Sequence, residues 1–118
     1  MKVIIAGTRT YENYEEFKHK LKELNIEINF IISGGSKGAD MLAERYAKEN
    51  NIEFKEYTAH WTKHGRAAGP MRNEDMAIAG QVLVAFWDGI SRGTLNMINQ
   101  MKKRNKPVHI VLVSNSEK

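Results

Sequence analysis

The sequence predicts an α/β fold: a doubly wound sheet of five parallel strands, ordered 3-2-1-4-5, with helices on both faces. Three observations predict it. Apolar runs of strand length alternate strictly with segments of helical periodicity, giving β-α-β-α-β-α-β-α-β along the 118 residues. Several strand-like runs are continuously apolar, as strands covered on both faces are. The composition, 42% hydrophobic and 27% charged, is that of an ordinary globular domain with enough chain for one core.

Each element has a local reason. Residues 2–6, KVIIA, are an apolar run that ends at Gly7 and form the first strand. In residues 11–25, Tyr14, Phe17, Leu21 and Leu24 recur at helical spacing with charges between them. Residues 28–32, INFII, are a second β-branched run. Residues 39–50 are helical, with Leu42, Ala43, Tyr46 and Ala47 on one stripe, and IEFKEY at 52–57 alternates like a strand with one polar face. A polar loop, AHWTKHGRAAG, follows, and Pro70 suits the first turn of a helix reaching about Ala79. QVLVAFW at 81–87 is strongly apolar. Residues 94–104 form the last helix, with Leu95, Ile98 and Met101 inward, and Pro107 opens the final strand, VHIVLV. One domain over 1–113 is expected, with a polar tail at 114–118.

Composition excludes several functions. There is no cysteine, so disulfides, thiolate metal sites and cysteine nucleophiles are ruled out. His60 and His64 lack the third ligand and flanking glutamate of a zinc site, so no metal is expected, and no serine sits in a nucleophile elbow. No apolar run is long enough to span a membrane, and the apolar stretch after Met1 is too short for a signal peptide, so a cytoplasmic protein without a membrane partner is expected. Lys and Arg total 18 against 14 Asp and Glu, a mild +4 bias toward anionic partners.

Three strand-to-helix turns carry the unusual residues. Gly7-Thr8-Arg9 follows the first strand, Ser33-Gly34-Gly35-Ser36-Lys37-Gly38-Ala39-Asp40 the second, and Asp88-Gly89-Ile90-Ser91-Arg92-Gly93-Thr94 the fourth. In the predicted order these strands are adjacent, so all three turns meet at the carboxyl edge of the sheet, where its order reverses and ligands bind. Glycines allow close backbone approach to an anion, and the starts of the second and fourth helices supply N–H groups and a favourable dipole. Ser33, Ser36, Ser91 and Thr94 add hydroxyls; Arg9, Lys37 and Arg92 add charge. The expected ligand is therefore a phosphate compound, although neither a P-loop nor a dinucleotide fingerprint is present.

Two carboxylates sit among these turns. Asp88 reads as a turn-former. For Asp40, helix capping and ligand contact are equally expected. Arg72 and Asn73, near the start of the third helix, suit an anion. Trp61 is expected to anchor the long loop to the core in preference to stacking on a base. Lys102, Lys103, Arg104 and Lys106 read as a solvated helix end.

The blocks VIIAGTR, IISGGSKGADMLAERYA, HWTKHGRAAGPMRNEDM and FWDGISRGTLNMI together resemble the YspA-type, cpYpsA-related branch of the SLOG superfamily, over residues 2 to about 110. That superfamily includes LOG phosphoribohydrolases and DprA. The resemblance implies a Rossmann-like fold that binds a nucleotide or nucleotide-derived ligand, such as ADP-ribose, an NAD-derived molecule or a cyclic nucleotide signal. It places Gly7, Thr8 and Arg9 in a first ligand loop and Gly34, Gly35, Lys37, Gly38 and Asp40 in a second. Arg72 and Asn73 match the RN of a third block, and Gly93 and Thr94 the GT of the LOG phosphate motif. Where LOG enzymes carry a catalytic glutamate, this chain has Met97 beside Asn96. Binding without turnover, for sensing or as a phage anti-defence sponge, is therefore expected, with no catalytic residue and no cofactor. Hydrolysis of the LOG type would need a substitute carboxylate: Asp40, Glu44, Glu74 or Asp88. A DprA-like nucleic-acid module is the third reading. Self-association is open, through the apolar face of the third or fourth helix.

Overall fold

Five strands lie parallel in the order β3-β2-β1-β4-β5 in the computed structural model, which describes residues 1–114. They are β1 (Lys2–Gly7), β2 (Phe30–Ser33), β3 (Glu53–Glu56), β4 (Val82–Trp87) and β5 (Val108–Leu112). The predicted fold class and strand order are both present. The order reverses between β1 and β4, whose register pairs Val3 with Val82 and Gly7 with Phe86.

Side chains alternate across the central strands and build two cores. Val3, Ile5, Ile31, Val84 and Phe86 face one side, covered by Tyr14, Phe17 and Leu21 of α1 (Tyr14–Glu23) and Ala43 and Ala47 of α2 (Ala39–Glu49). Ile4, Ile32, Leu83 and Ala85 face the other, covered by Met76 and Ala77 of α4 (Ala68–Ala79) and Met97, Ile98 and Met101 of α5 (Arg92–Lys103). The edge strands β3 and β5 are largely exposed.

Four expectations are corrected. The first helix starts at Tyr14, because Asn13 Oδ1 accepts from Glu16 N at 3.0 Å and caps it there. The supposed loop before Pro70 is mostly helical: α3 spans Trp61–His64, a 3-10 turn spans Gly65–Ala67, and α4 already begins at Ala68. Gly65, at φ 56°, separates the first two pieces. The last helix starts at Arg92, which turns Leu95 outward to 41% exposure and buries Met97. Lys106 is not part of a solvated end. Its Nζ donates to Ala77 O at 2.7 Å, Ile78 O at 3.1 Å and Gly80 O at 2.8 Å, capping the carbonyl end of α4. Of the expected polar tail, residues 115–118 lie outside the described residues. Among those described, no helix is long and apolar enough to cross a membrane.

Candidate functional site

The carboxyl ends of β1 and β4 open into a cleft of about 370 Å³ at the switch point. Its lining includes Gly7, Thr8, Arg9, Asp40, Arg72, Asn73, Asp88, Ser91, Gly93 and Thr94 from the predicted set, with Thr10, Ser36, Arg92 and Met97. A second cleft, about 480 Å³, lies beside it and is lined by Gly34, Gly35, Lys37, Glu56, Thr58, Ala59 and Trp61. Arg9, Ser36 and Arg72 line both. Ser33, Gly38 and Gly89 line neither.

Thr8 stitches the three turns together. Its N donates to Phe86 O at 2.9 Å, and its O accepts from Tyr11 N at 3.2 Å and Ala39 N at 3.3 Å. Its Oγ1 accepts from Asp88 N at 3.0 Å and from Ser91 Oγ at 3.5 Å. A buried side chain so engaged positions the site and has little left for a ligand.

The turn after β2 is packed from within. Gly38 has φ +74°, and an added Cβ would collide with Thr8 O and lie 2.5 Å from Arg9 O. At Gly34 it would lie 2.6 Å from Arg72 Nη1, and at Gly35 2.5 Å from Glu56 Oε2. Ser33 is buried under the turn, its Oγ accepting from Gly35 N at 3.4 Å. The backbone oxygen of Thr8 occupies the first N–H of α2.

The turn after β4 is built differently. Asp88 Oδ1 accepts from Ile90 N at 2.9 Å and Ser91 N at 2.8 Å, and Oδ2 accepts from Ser91 Oγ at 3.2 Å. Partial burial pulls its carboxyl up, but the Ser91, Ile90 and Thr8 hydrogen bonds outweigh this and hold it below the usual range. This is the turn-forming role expected of it. With Ser91 Oγ so engaged, no side chain caps the first turn of α5. At Gly93, in that first turn, an added Cβ would meet nothing within 4 Å.

Arg72 is half-buried between the clefts. Its Nη1 donates to Gly34 O at 2.9 Å and its Nε to Asn73 Oδ1 at 3.1 Å. Buried Asn73 in turn donates through Nδ2 to Gly93 O at 3.2 Å and Asn96 Oδ1 at 2.9 Å. Asn73 therefore ties α4 to the start of α5 and orients the guanidinium. Asn96 is a positioning residue with no sequence signal of its own. Glu56 belongs to no motif; its one sequence signal is that it ends a strand at the ligand edge.

Asp40 is the exception in the site. It is 6% exposed on the cleft floor; Oδ2 accepts from Ser36 N at 3.0 Å, while Oδ1 is buried without a hydrogen-bond partner. Burial pushes its carboxyl up to about 6, against the opposing pull of the Ser36 N–H, Arg72 and Arg9. The other three carboxylates considered are engaged elsewhere: Glu44 pairs with Lys48 at 3.1 Å, Glu74 with Arg104 at 3.3 Å, and Asp88 holds its turn. Trp61 is not a core anchor. It is 51% exposed, because α3 lifts it onto the rim of the second cleft, where its ring packs on Gly69.

The comparisons agree with this architecture. The family described as YspA, cpYpsA-related SLOG (YAcAr) matches residues 1–64. The Gene 61 protein of Mycobacterium phage D29 is 36% identical over 117 residues, spanning 91% of this chain and 93% of that protein. DNA processing protein A (DprA) from Streptococcus pneumoniae superposes with a TM-score of 0.76 at 17% identity, over 98% of this chain. That likeness is one of fold, and the chain spans only about half of DprA, 52% of its length.

Proposed function

The chain belongs to the YspA, cpYpsA-related SLOG family, and from that premise we propose that it binds a nucleotide or nucleotide-derived ligand and holds it without turnover. The phosphate sits against the first turn of α5, between Arg9, Arg72 and Arg92. The observation that carries this reading is Gly93: a helical glycine with no protein atom near the place of its missing Cβ, in an uncapped first turn that lines the cleft. Glycine in a helix interior costs about 0.5–1 kcal/mol relative to alanine, and close approach of an anion to the backbone would give the one at this helix start a use.

Met97 supports binding without hydrolysis, because a buried thioether on the cleft wall cannot transfer protons. The finer role proposed is sequestration of an ADP-ribose, NAD-derived or cyclic nucleotide signal in conflict between phage and host; its motive is that a relative is borne by a phage. Hydrolysis would have to use Asp40, the one considered carboxylate that lines the cleft with a buried oxygen lacking a partner. A DprA-like grip on single strands suits the clefts less well. Successive bases need successive aromatic platforms, and among the described residues Trp61 alone provides a ring to either cleft.

The test is thermal unfolding with AMP, ADP-ribose, NAD, cyclic ADP-ribose isomers and cyclic dinucleotides, followed by chromatography of any hit. A ligand at a hundredfold excess over its Kd should stabilise the fold by about 2.7 kcal/mol and be recovered intact. Release of base or ribose phosphate would replace the proposal with hydrolysis. No shift with any of them would remove the nucleotide site altogether.

A further inference from the structure

The phosphate position proposed above does not use the second cleft, which nevertheless shares Arg9, Ser36 and Arg72 with the first. Two observations suggest what enters it. The first is Trp61, a large ring half in water on the rim, supported on one side by Gly69. An indole backed by protein on one side and open on the other is a platform for a planar heterocycle. Glu56, whose carboxylate lies over Gly35 in the same cleft, can accept from an exocyclic amine. The second observation is Asp40. Its residue reaches the floor of the first cleft, and Ser36, whose N–H it holds, lines both. Its buried Oδ1 has no donor from the protein. An acceptor left in that state can take a donor from the cleft, and a sugar hydroxyl supplies one without bringing negative charge.

We infer that the ligand lies across both clefts, with its phosphate at α5, a ribose hydroxyl donating to Asp40 Oδ1 at the junction, and its base stacked on Trp61 in the second cleft. The inference rests on the phosphate reading above and adds an orientation. The protein would read a ribonucleoside, not merely a phosphate, and discriminate ribose from deoxyribose at Asp40.

The experiment titrates the intact protein with the four ribonucleoside monophosphates, their 2′- and 3′-deoxy counterparts, and ribose 5-phosphate, following tryptophan fluorescence and thermal unfolding together. The best ribonucleotide should quench the emission, and the quench should vanish in Trp61→Phe. Ribose 5-phosphate should stabilise the fold, and any emission change it causes through Trp87, whose Nε1 donates to Ser91 O, should persist in Trp61→Phe. One deoxy counterpart should bind about tenfold or more weaker, the usual scale for a hydrogen bond to a charged group. In Asp40→Ala, which removes the acceptor and offers the hydroxyl no donor in its place, that ratio should fall to near one. If nucleotides and ribose 5-phosphate stabilise the protein with neither a Trp61 signal nor a deoxy penalty, the orientation is overturned and the phosphate reading stands. A deoxy penalty without the Trp61 signal overturns the base position, and a signal without the penalty overturns the role of Asp40. If none of the compounds binds, both readings fall.

Discussion

The turns after β2 and β4 look alike in sequence, each with glycines, a hydroxyl and one aspartate, but they are built in opposite ways. After β2 the glycines are filled by the protein and the carboxylate is left short. Gly34, Gly35 and Gly38 press on Arg72, Glu56 and the Thr8–Arg9 backbone, while Asp40 Oδ1 has no partner. After β4 the carboxylate is satisfied and the glycines are open: Asp88 holds Ile90 and Ser91, while nothing lies within 4 Å of a Cβ at Gly89 or Gly93. A glycine with a protein neighbour is explained by packing. A glycine in open space with no positive φ to explain it, as at Gly93, or a buried carboxylate oxygen without a donor, calls for something from outside the chain. The contrast thus separates what holds the site together from what the site is for.

The largest expected effect tests the packed glycines against the open ones. Gly38 and Gly89 both have positive φ, at +74° and +83°. Gly38→Ala adds a collision with Thr8 O to the backbone strain and should cost about 3 kcal/mol. Gly89→Ala bears the strain alone and should cost about 1 kcal/mol. Chemical denaturation of both measures the difference; equal losses would remove the distinction between the two turns.

The next effect concerns the carboxylates. Asp40 titrates at about 6 in the fold against 3.8 as its ordinary value. Between those values the folded state keeps a proton that the unfolded chain has lost. Its contribution is therefore most favourable below pH 4 and declines as pH rises through 6, by on the order of 3 kcal/mol in all. Arg72, Arg9 and Glu56 are the charged groups that act on it. Asp40→Asn should abolish that decline and make the ligand-free protein more stable at pH 8, read from unfolding curves between pH 4 and 8. Asp88→Ala should go the other way. It removes acceptors from Ile90 N, Ser91 N and Ser91 Oγ and should cost about 1–2 kcal/mol at neutral pH. Two aspartates at one cleft would then have opposite signs in stability.

How much of this was legible in the sequence follows from the range of the forces involved. Strand order and the meeting of three turns follow from apolar runs and chain topology, so Gly7, Asp88 and Gly93 could be placed at one edge in advance. Asp88 could be read as a turn-former because its partners, Ile90 and Ser91, are two and three residues away. The rest depends on distant neighbours. That Gly38 serves packing is decided by Thr8 and Arg9, and that Lys106 caps α4 by carbonyls at Ala77, Ile78 and Gly80. The sequence favours Trp61 as an anchor of the long loop over a stacking ring, but its position depends on whether residues 61–67 coil or form helical turns, and their backbone bonds to His60 O and Gly65 O carry no periodic signature. A helix from Thr94 is expected to turn Leu95, Ile98 and Met101 inward; the helix from Arg92 leaves Leu95 exposed and buries Met97 with Ile98 and Met101.

The smallest effect on stability is the most informative about function. Gly93→Ala places a methyl group in open space on a helix, where alanine is the better residue, so the ligand-free protein should gain about 0.5–1 kcal/mol. If the first turn of α5 holds phosphate, the same methyl stands where the anion must approach the backbone, and ligand affinity should fall at least tenfold. Stability and binding would then move in opposite directions at one atom, which no folding defect can imitate. Should the variant become more stable and still bind every ligand as the unaltered protein does, the open glycine would be a tolerated weakness of the helix, and the phosphate would have to be sought elsewhere along the groove between Arg9 and Arg72.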